Sequence, residues 1–331
     1  MNSLLNKNLS RQWSRIGPRG IYGQSLLSVA DNSEEIFAIS ADLGNSSGLD
    51  RFKNKYNERF LNIGIAEQNM IGFSAGLSTL GFNVFVSSFA PFITLRAGEQ
   101  VRMNLSYMRA NVKIVAIGSG ISMGFLGNSH FGLEDISIIR SLPNIPIISP
   151  CDCFEVYKAV KALSLFNGPA FLRLTGAAPT PIVNAEDYDF VIGKAIELVR
   201  GNDILILAHG SIVYNCIKAA KILQEKHSIN ACVFNVHTLR PFDQNLKELI
   251  NKFPLVVSVE EHFISGGLGT IISELITSNS FEKTQLLTLG LPNKFLKSGT
   301  YEQLLKRYNL HAEGIVNNIY EKIKDHKGIY F

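Results

Sequence analysis

One tryptophan, four cysteines and only 18% charged residues are the scarcities of this 331-residue chain, and each closes off a class of protein. The cysteines, Cys151, Cys153, Cys216 and Cys232, are too few and too irregularly spaced for a disulfide framework. Cys151 and Cys153 stand two apart, which is neither a C-x-x-C redox pair nor a zinc knuckle. Reduced thiols in a cytoplasmic protein are the expectation. No run of about 18 apolar residues occurs, and the opening MNSLLNKNLSRQWSR has no apolar stretch, so neither a membrane span nor a signal peptide is expected. The formal charge is +4, with no dense basic block beyond Lys7 to Arg19, which argues against a nucleic-acid partner.

Apolar residues are what the chain has in quantity, at 46%. That implies a large buried core, and the length favours two domains. Short apolar runs (36–39, 84–88, 113–117, 146–149 and 170–173) read as strands buried on both faces. Between them, 67–80 and 154–165 have helical spacing. The stretch Ala177 to Asp189, with two prolines among polar residues, reads as a linker. The alternation then restarts: strands at 203–208, 230–236, 255–259 and 285–289, with helices at 213–227, 244–252 and 266–278. The reading is α/β, two parallel-sheet domains over 14–180 and 190–331.

Arg59 to Gly81, RFLNIGIAEQNMIGFSAGLSTLG, is the most informative segment. A strand ends near Ile63, Gly64 permits a tight turn, and a helix begins around Ala66. Glu67 therefore stands in the first helical turn at the carboxyl end of a parallel strand, where open α/β sheets bind ligands. The helix dipole also favours an acidic residue there, so position alone favours a dipole partner over a ligand.

The wider string G-I-A-E-Q-N with its Gly/Ala-rich helix strongly resembles the pyrimidine-binding domain of the transketolase family. In family order stand Arg19-Gly-Ile-Tyr-Gly, Ser40-Ala-Asp42-Leu43-Gly, Ser88-Phe89-Ala-Pro-Phe92, Arg96-Ala-Gly-Glu-Gln-Val-Arg102, Ser129-His130 and Arg140-Ser-Leu-Pro-Asn-Ile. Val259-Glu-Glu-His262 with Gly266-Gly-Leu-Gly269 resembles the family's C-terminal domain. The resemblance implies thiamine diphosphate as cofactor. It gives Glu67 the catalytic task of hydrogen bonding the pyrimidine nitrogen N1′, which drives the amine toward its reactive tautomer. For that task Glu67 is expected to be desolvated enough to outweigh the helix dipole. Phe89 would stack on the pyrimidine with Phe92 beside it, although two core aromatics read equally well from composition. Asp42 and Leu43 would lie near the thiazolium ring, or Asp42 would simply cap a turn. His130 would bond the reacting oxygen of a sugar substrate and share in catalysis. Arg19 and Ser46 match positions that hold a phosphate. Arg173 counts as a further substrate contact. His262 either faces the site or caps the helix near Gly266.

The family's Gly-Asp-Gly…Asn segment, which holds a metal and through it the diphosphate, does not occur. The resemblance therefore implies an N-terminal transketolase-like partner subunit that carries magnesium or calcium, no metal on this chain, and an α2β2 heterotetramer. Other family features also differ. Leu126 replaces an aspartate that contacts a donor hydroxyl, Gly118-Ser119-Gly120 replaces a histidine, and Thr175-Gly176 replaces an arginine. An altered substrate follows, because charge-assisted bonds of about 1.5–3 kcal/mol each are missing. The alternatives are the β subunit of a 2-oxo acid dehydrogenase, a half of a deoxyxylulose-phosphate synthase, or a non-catalytic scaffold.

Overall fold

The computed structural model describes residues 7–184 and 186–325. The first half runs α1 (Lys7–Ile16), α2 (Pro18–Ala30), β1 (Ile36–Ser40), α3 (Asp50–Lys55), β2 (Phe60–Asn62), α4 (Glu67–Thr79) and β3 (Asn83–Phe89). Wide π-helical turns then cover Phe92–Arg96 and Val101–Tyr107, with α5 (Gly98–Gln100) between them. β4 (Val112–Ile117), α6 (Asp135–Ser141), β5 (Ile147–Ile148), α7 (Cys153–Leu165) and β6 (Ala170–Arg173) follow. After the proline-containing stretch come β7 (Ile196–Val199), β8 (Ile204–Ala208), α8 (Val213–His227), β9 (Ala231–Asn235), β10 (Thr238–Arg240) and α9 (Gln244–Ile250). β11 (Leu255–Phe263), α10 (Leu268–Ser278), β12 (Gln285–Leu291), α11 (Tyr301–Arg307) and α12 (Ala312–Asp325) close the described chain.

Two sheets result, ordered β10-β5-β6-β4-β3-β1-β2 and β12-β11-β8-β9-β7. Every residue of β3 and β4 is buried, as strands covered on both faces must be. The sheets are not wholly parallel. β7 pairs antiparallel with β9, and β10 pairs antiparallel with β5. Strand β10 comes from beyond the linker, so the second half of the chain completes the edge of the first sheet. Arg240 at its end donates to the carbonyls of Ile139, Arg140 and Ile145, satisfying the last turn of α6 and the loop beyond it. The two halves are thus stitched by backbone pairing as well as packing.

The glycines of Arg19-Gly-Ile-Tyr-Gly have a geometric purpose. A β-carbon on Gly23 would stand 1.9 Å from the carbonyl oxygen of Gly48. Helix α2 therefore lies directly on the turn after β1, and Tyr22 Oη bonds Ser87 Oγ at 2.8 Å to tie the helix to β3. All four cysteines are buried free thiols. Among the described residues no helix is long and apolar enough to cross a membrane.

Candidate active site

The carboxyl ends of β1, β2, β3 and β4 lie side by side, and the turns that leave them carry the candidate residues. Asn62, which closes β2, organises two of these turns. Its Oδ1 accepts from the backbone N–H groups of Asp42 (2.9 Å) and Gly64 (3.0 Å), and its Nδ2 donates to Asp42 Oδ1 (3.1 Å). Asp42 and Gly64 both take positive φ, 59° and 77°. The Gly64 turn then launches α4 with Glu67 as its first residue, only 1% exposed. Asp42 is exposed at the rim, while Leu43 packs at the margin of the cluster that holds Phe89.

Phe89 ends β3 and Phe92 begins the π-helical turn behind it. Both meet His130. The ring centroids of Phe89 and Phe92 each lie 5.2 Å from that of His130, and 5.8 Å from one another, all edge-to-face. Three residues separated along the chain thus form one aromatic corner. Ser129 Oγ contacts His130 Nδ1 at 2.9 Å, and partial burial depresses the histidine pKa below its usual value. Ser129 Oγ also donates to the Leu126 carbonyl at 3.2 Å, which ties the His130 loop back on itself. The loop bearing His130 is anchored by the second half of the chain: Asn128 exchanges hydrogen bonds with the backbone of Leu296, and Gly299 N donates to Gly124 O.

Glu67 joins this corner through Arg96. Arg96 Nη1 donates to Glu67 Oε2 at 2.7 Å, and the guanidinium lies 4.5 Å from the Phe92 ring centroid. A cavity of about 260 Å³ opens beside the corner, lined by Arg19, Gly118, Ser122, Met123, Thr175 and Gly176 among others. Gly118 cannot be larger, because a β-carbon there would press within 2.7 Å of Met123 and 3.0 Å of Phe89. Arg19 and Ser46 meet, but through the Ser46 carbonyl at 3.2 Å; Arg19 lines the cavity and Ser46 does not.

Arg173 and His262 stand elsewhere. Arg173 is wholly buried, with Nε on Asp135 Oδ2 at 2.8 Å and Nη2 on the carbonyls of Gly132 and Glu261. Nε and Nη2 are thus spent between the two halves of the chain, while Nη1 is buried without a partner among the described residues. His262 is buried in the same place, 3.9 Å from Asp135, with Nδ1 on the Phe263 carbonyl. It does not cap α10; Glu260 does, accepting from the Leu268 and Gly269 N–H groups. A structural network occupies residues that the sequence places among substrate contacts.

The same network carries a pH dependence. Burial lowers the pKa of His209 and of His262, which face Glu260 and Asp135 with Arg173 close by. A histidine kept neutral in the fold but free to protonate when unfolded loses stability as pH falls below about 6.5, by up to about 1.4 kcal/mol per pH unit. The carboxyls of half-buried Glu134 and buried Asp152 and Glu261, raised by desolvation, tilt the other way. The expectation is therefore a difference. Replacing His209 with Gln should reduce the stability lost between pH 7.5 and 5.5 by about 1 kcal/mol, read by urea denaturation; an unchanged pH slope would show that the fold accepts the imidazolium.

Among the described residues no group of three or more His, Cys, Asp or Glu side chains could hold a metal ion. Comparison with known proteins agrees with the geometry. Residues 15–178 match the transketolase pyrimidine binding domain and residues 193–315 the transketolase C-terminal domain. The chain is 39% identical to a protein of Methanocaldococcus jannaschii named for the C-terminal section of a transketolase, over 93% of this chain and 96% of that one. It is 34% identical to one of the subunits of the apulose-4-phosphate transketolase of Phocaeicola vulgatus, covering 93% and 98%. A solved structure described as a split-gene transketolase, inactive beta4 tetramer, superposes with a TM-score of 0.81 at 33% identity, covering 93% and 98%. The chain belongs to the transketolase family, as the C-terminal, pyrimidine-binding half of a split enzyme.

Proposed function

We propose that this chain is the catalytic C-terminal subunit of a thiamine-diphosphate-dependent transketolase that transfers a two-carbon unit to or from a sugar, with a partner subunit supplying the diphosphate and metal site. One observation carries the reading: a carboxyl group with 1% exposure, Glu67, set at a strand end and linked through Arg96 to the Phe89–Phe92–His130 corner. The fit is chemical. A pyrimidine needs a flat apolar wall and a buried proton-sharing group, and this corner offers both. Thiamine diphosphate, when bound, supplies the nucleophilic carbon that carries the two-carbon unit.

The protein's own residues do the rest. Glu67 exchanges a proton with the ring nitrogen, Phe89 excludes water from one ring face, and His130 hydrogen-bonds the substrate oxygen. Asp42 and Leu43 border the site from the turn after β1. Arg19 is the cation of the cavity and is placed for an acidic group on the acceptor, with Ser46 beside it. Exposed Ile65 precedes α4, Phe73 lies on α4, and exposed Leu95 and Tyr107 lie on the two π-helical turns; in this reading they meet the diphosphate-binding subunit. The magnesium or calcium ion belongs to that subunit in this reading.

Arg19 is the one charged residue lining the cavity among the described residues. Phe125 is 78% exposed beside exposed Leu126, and Gly118, Thr175 and Gly176 line the cavity without charge. A donor with fewer hydroxyls than an ordinary ketose phosphate suits this lining. The test is to assemble the chain with its partner, thiamine diphosphate and magnesium, and assay ketose phosphates. Turnover well below that of an ordinary transketolase is expected, and equal turnover would remove the altered-substrate reading.

A further inference from the structure

Arg96 is the only hydrogen-bond partner of the Glu67 carboxyl among the described residues, and it engages one oxygen alone. The terminal torsion of a glutamate is broad, so an unheld carboxyl presents its oxygens over a wide range of directions. A charge-assisted bond to Oε2 narrows that range and turns Oε1 the other way. Arg96 is itself held, because its guanidinium rests 4.5 Å from the Phe92 ring centroid while Phe92 packs on Phe89 and His130. The π-helical turn Phe92–Arg96 delivers both residues from one short segment, and wide turns of this kind concentrate at functional sites. Arg96 is 47% exposed, so water could satisfy its charge without Glu67. The ion pair therefore does more for the buried carboxyl than for the arginine.

We propose that Arg96 is a positioning residue, which holds Oε2 of Glu67 so that Oε1 meets the pyrimidine nitrogen of the cofactor at a fixed angle. This rests on the cofactor reading given above. It assigns a task to a side chain that touches neither substrate nor the reacting carbon.

The test uses the enzyme assembled with its diphosphate-binding subunit, in five forms: wild type, Arg96→Met, Arg96→Lys, Glu67→Gln and the Arg96→Met/Glu67→Gln double variant. Thiamine diphosphate affinity is measured by calorimetry in the presence of magnesium, alongside kcat, sugar KM and melting temperature. Arg96→Met should weaken cofactor binding and lower kcat, each about tenfold, with sugar KM unchanged and the melting temperature lowered because the buried Glu67 carboxylate loses its partner. Arg96→Lys should recover part of both losses. The double variant should bind cofactor no more weakly than Glu67→Gln, since Arg96 acts only through that carboxyl. Unchanged affinity and kcat in Arg96→Met, or additive losses in the double variant, would overturn the role of Arg96 while leaving the cofactor reading intact. Full turnover in Glu67→Gln would instead overturn the cofactor reading itself.

Discussion

Glu67→Gln is expected to cut turnover of the assembled enzyme by about 10²- to 10⁴-fold while the subunits still associate. The amide keeps the shape of the buried side chain, and its oxygen still accepts from Arg96. What it loses is the ability to pass a proton to and from a ring nitrogen. Because Glu67 starts α4 and, among the described residues, pairs only with the half-exposed Arg96, the substitution leaves β2, the Gly64 turn and the Asn62 bonds in place. A kcat measurement beside size-exclusion chromatography separates the outcomes. Lost turnover with intact assembly supports a catalytic role for the chain; undiminished turnover would make it a scaffold.

The second large effect concerns stability. Arg173→Met should destabilise the chain by about 3–5 kcal/mol, because Asp135 would be left as an uncompensated charge at zero exposure. The carbonyls of Gly132 and Glu261 would lose their donor as well. The Glu261 carbonyl lies on β11, so the loss loosens the junction of the two halves. Adding Asp135→Leu to Arg173→Met should return part of the stability, since the isolated charge is then gone. Urea denaturation reads both values. If Arg173 were a substrate ligand, its loss would raise KM with the fold intact, and that result would reverse its structural role.

Some of these features are legible in the amino-acid order and others are not, for physical reasons. β3 and β4 are legible because strands covered on both faces demand unbroken apolar runs, which NVFVSSF and VKIVAI nearly supply. Glu67, Phe89, Phe92 and His130 come from short strings in family order, and the fold does gather the three rings. Strand β10 is three residues long and pairs across the linker, so no local periodicity announces it. The π-helical turns fit neither the helix nor the strand template. Arg96 sits inside the string Arg96-Ala-Gly-Glu-Gln, but its partner lies 29 residues away, and only the tertiary fold joins them. The same holds for Arg173 and Asp135, 38 residues apart. Asn62 escapes a reading by family strings, although an asparagine just before a glycine turn is a known organiser of such turns. Charged residues at strand ends read as ligands until burial and partners show which of them are already paired.

The most direct measurement is a structure of the chain assembled with its diphosphate-binding subunit and thiamine diphosphate. The Glu67 carboxyl should lie within about 2.6–3.2 Å of pyrimidine N1′, with the Phe89 ring against the pyrimidine face. A pyrimidine bound away from Glu67, or a Glu67 side chain turned out into solvent, would contradict the account.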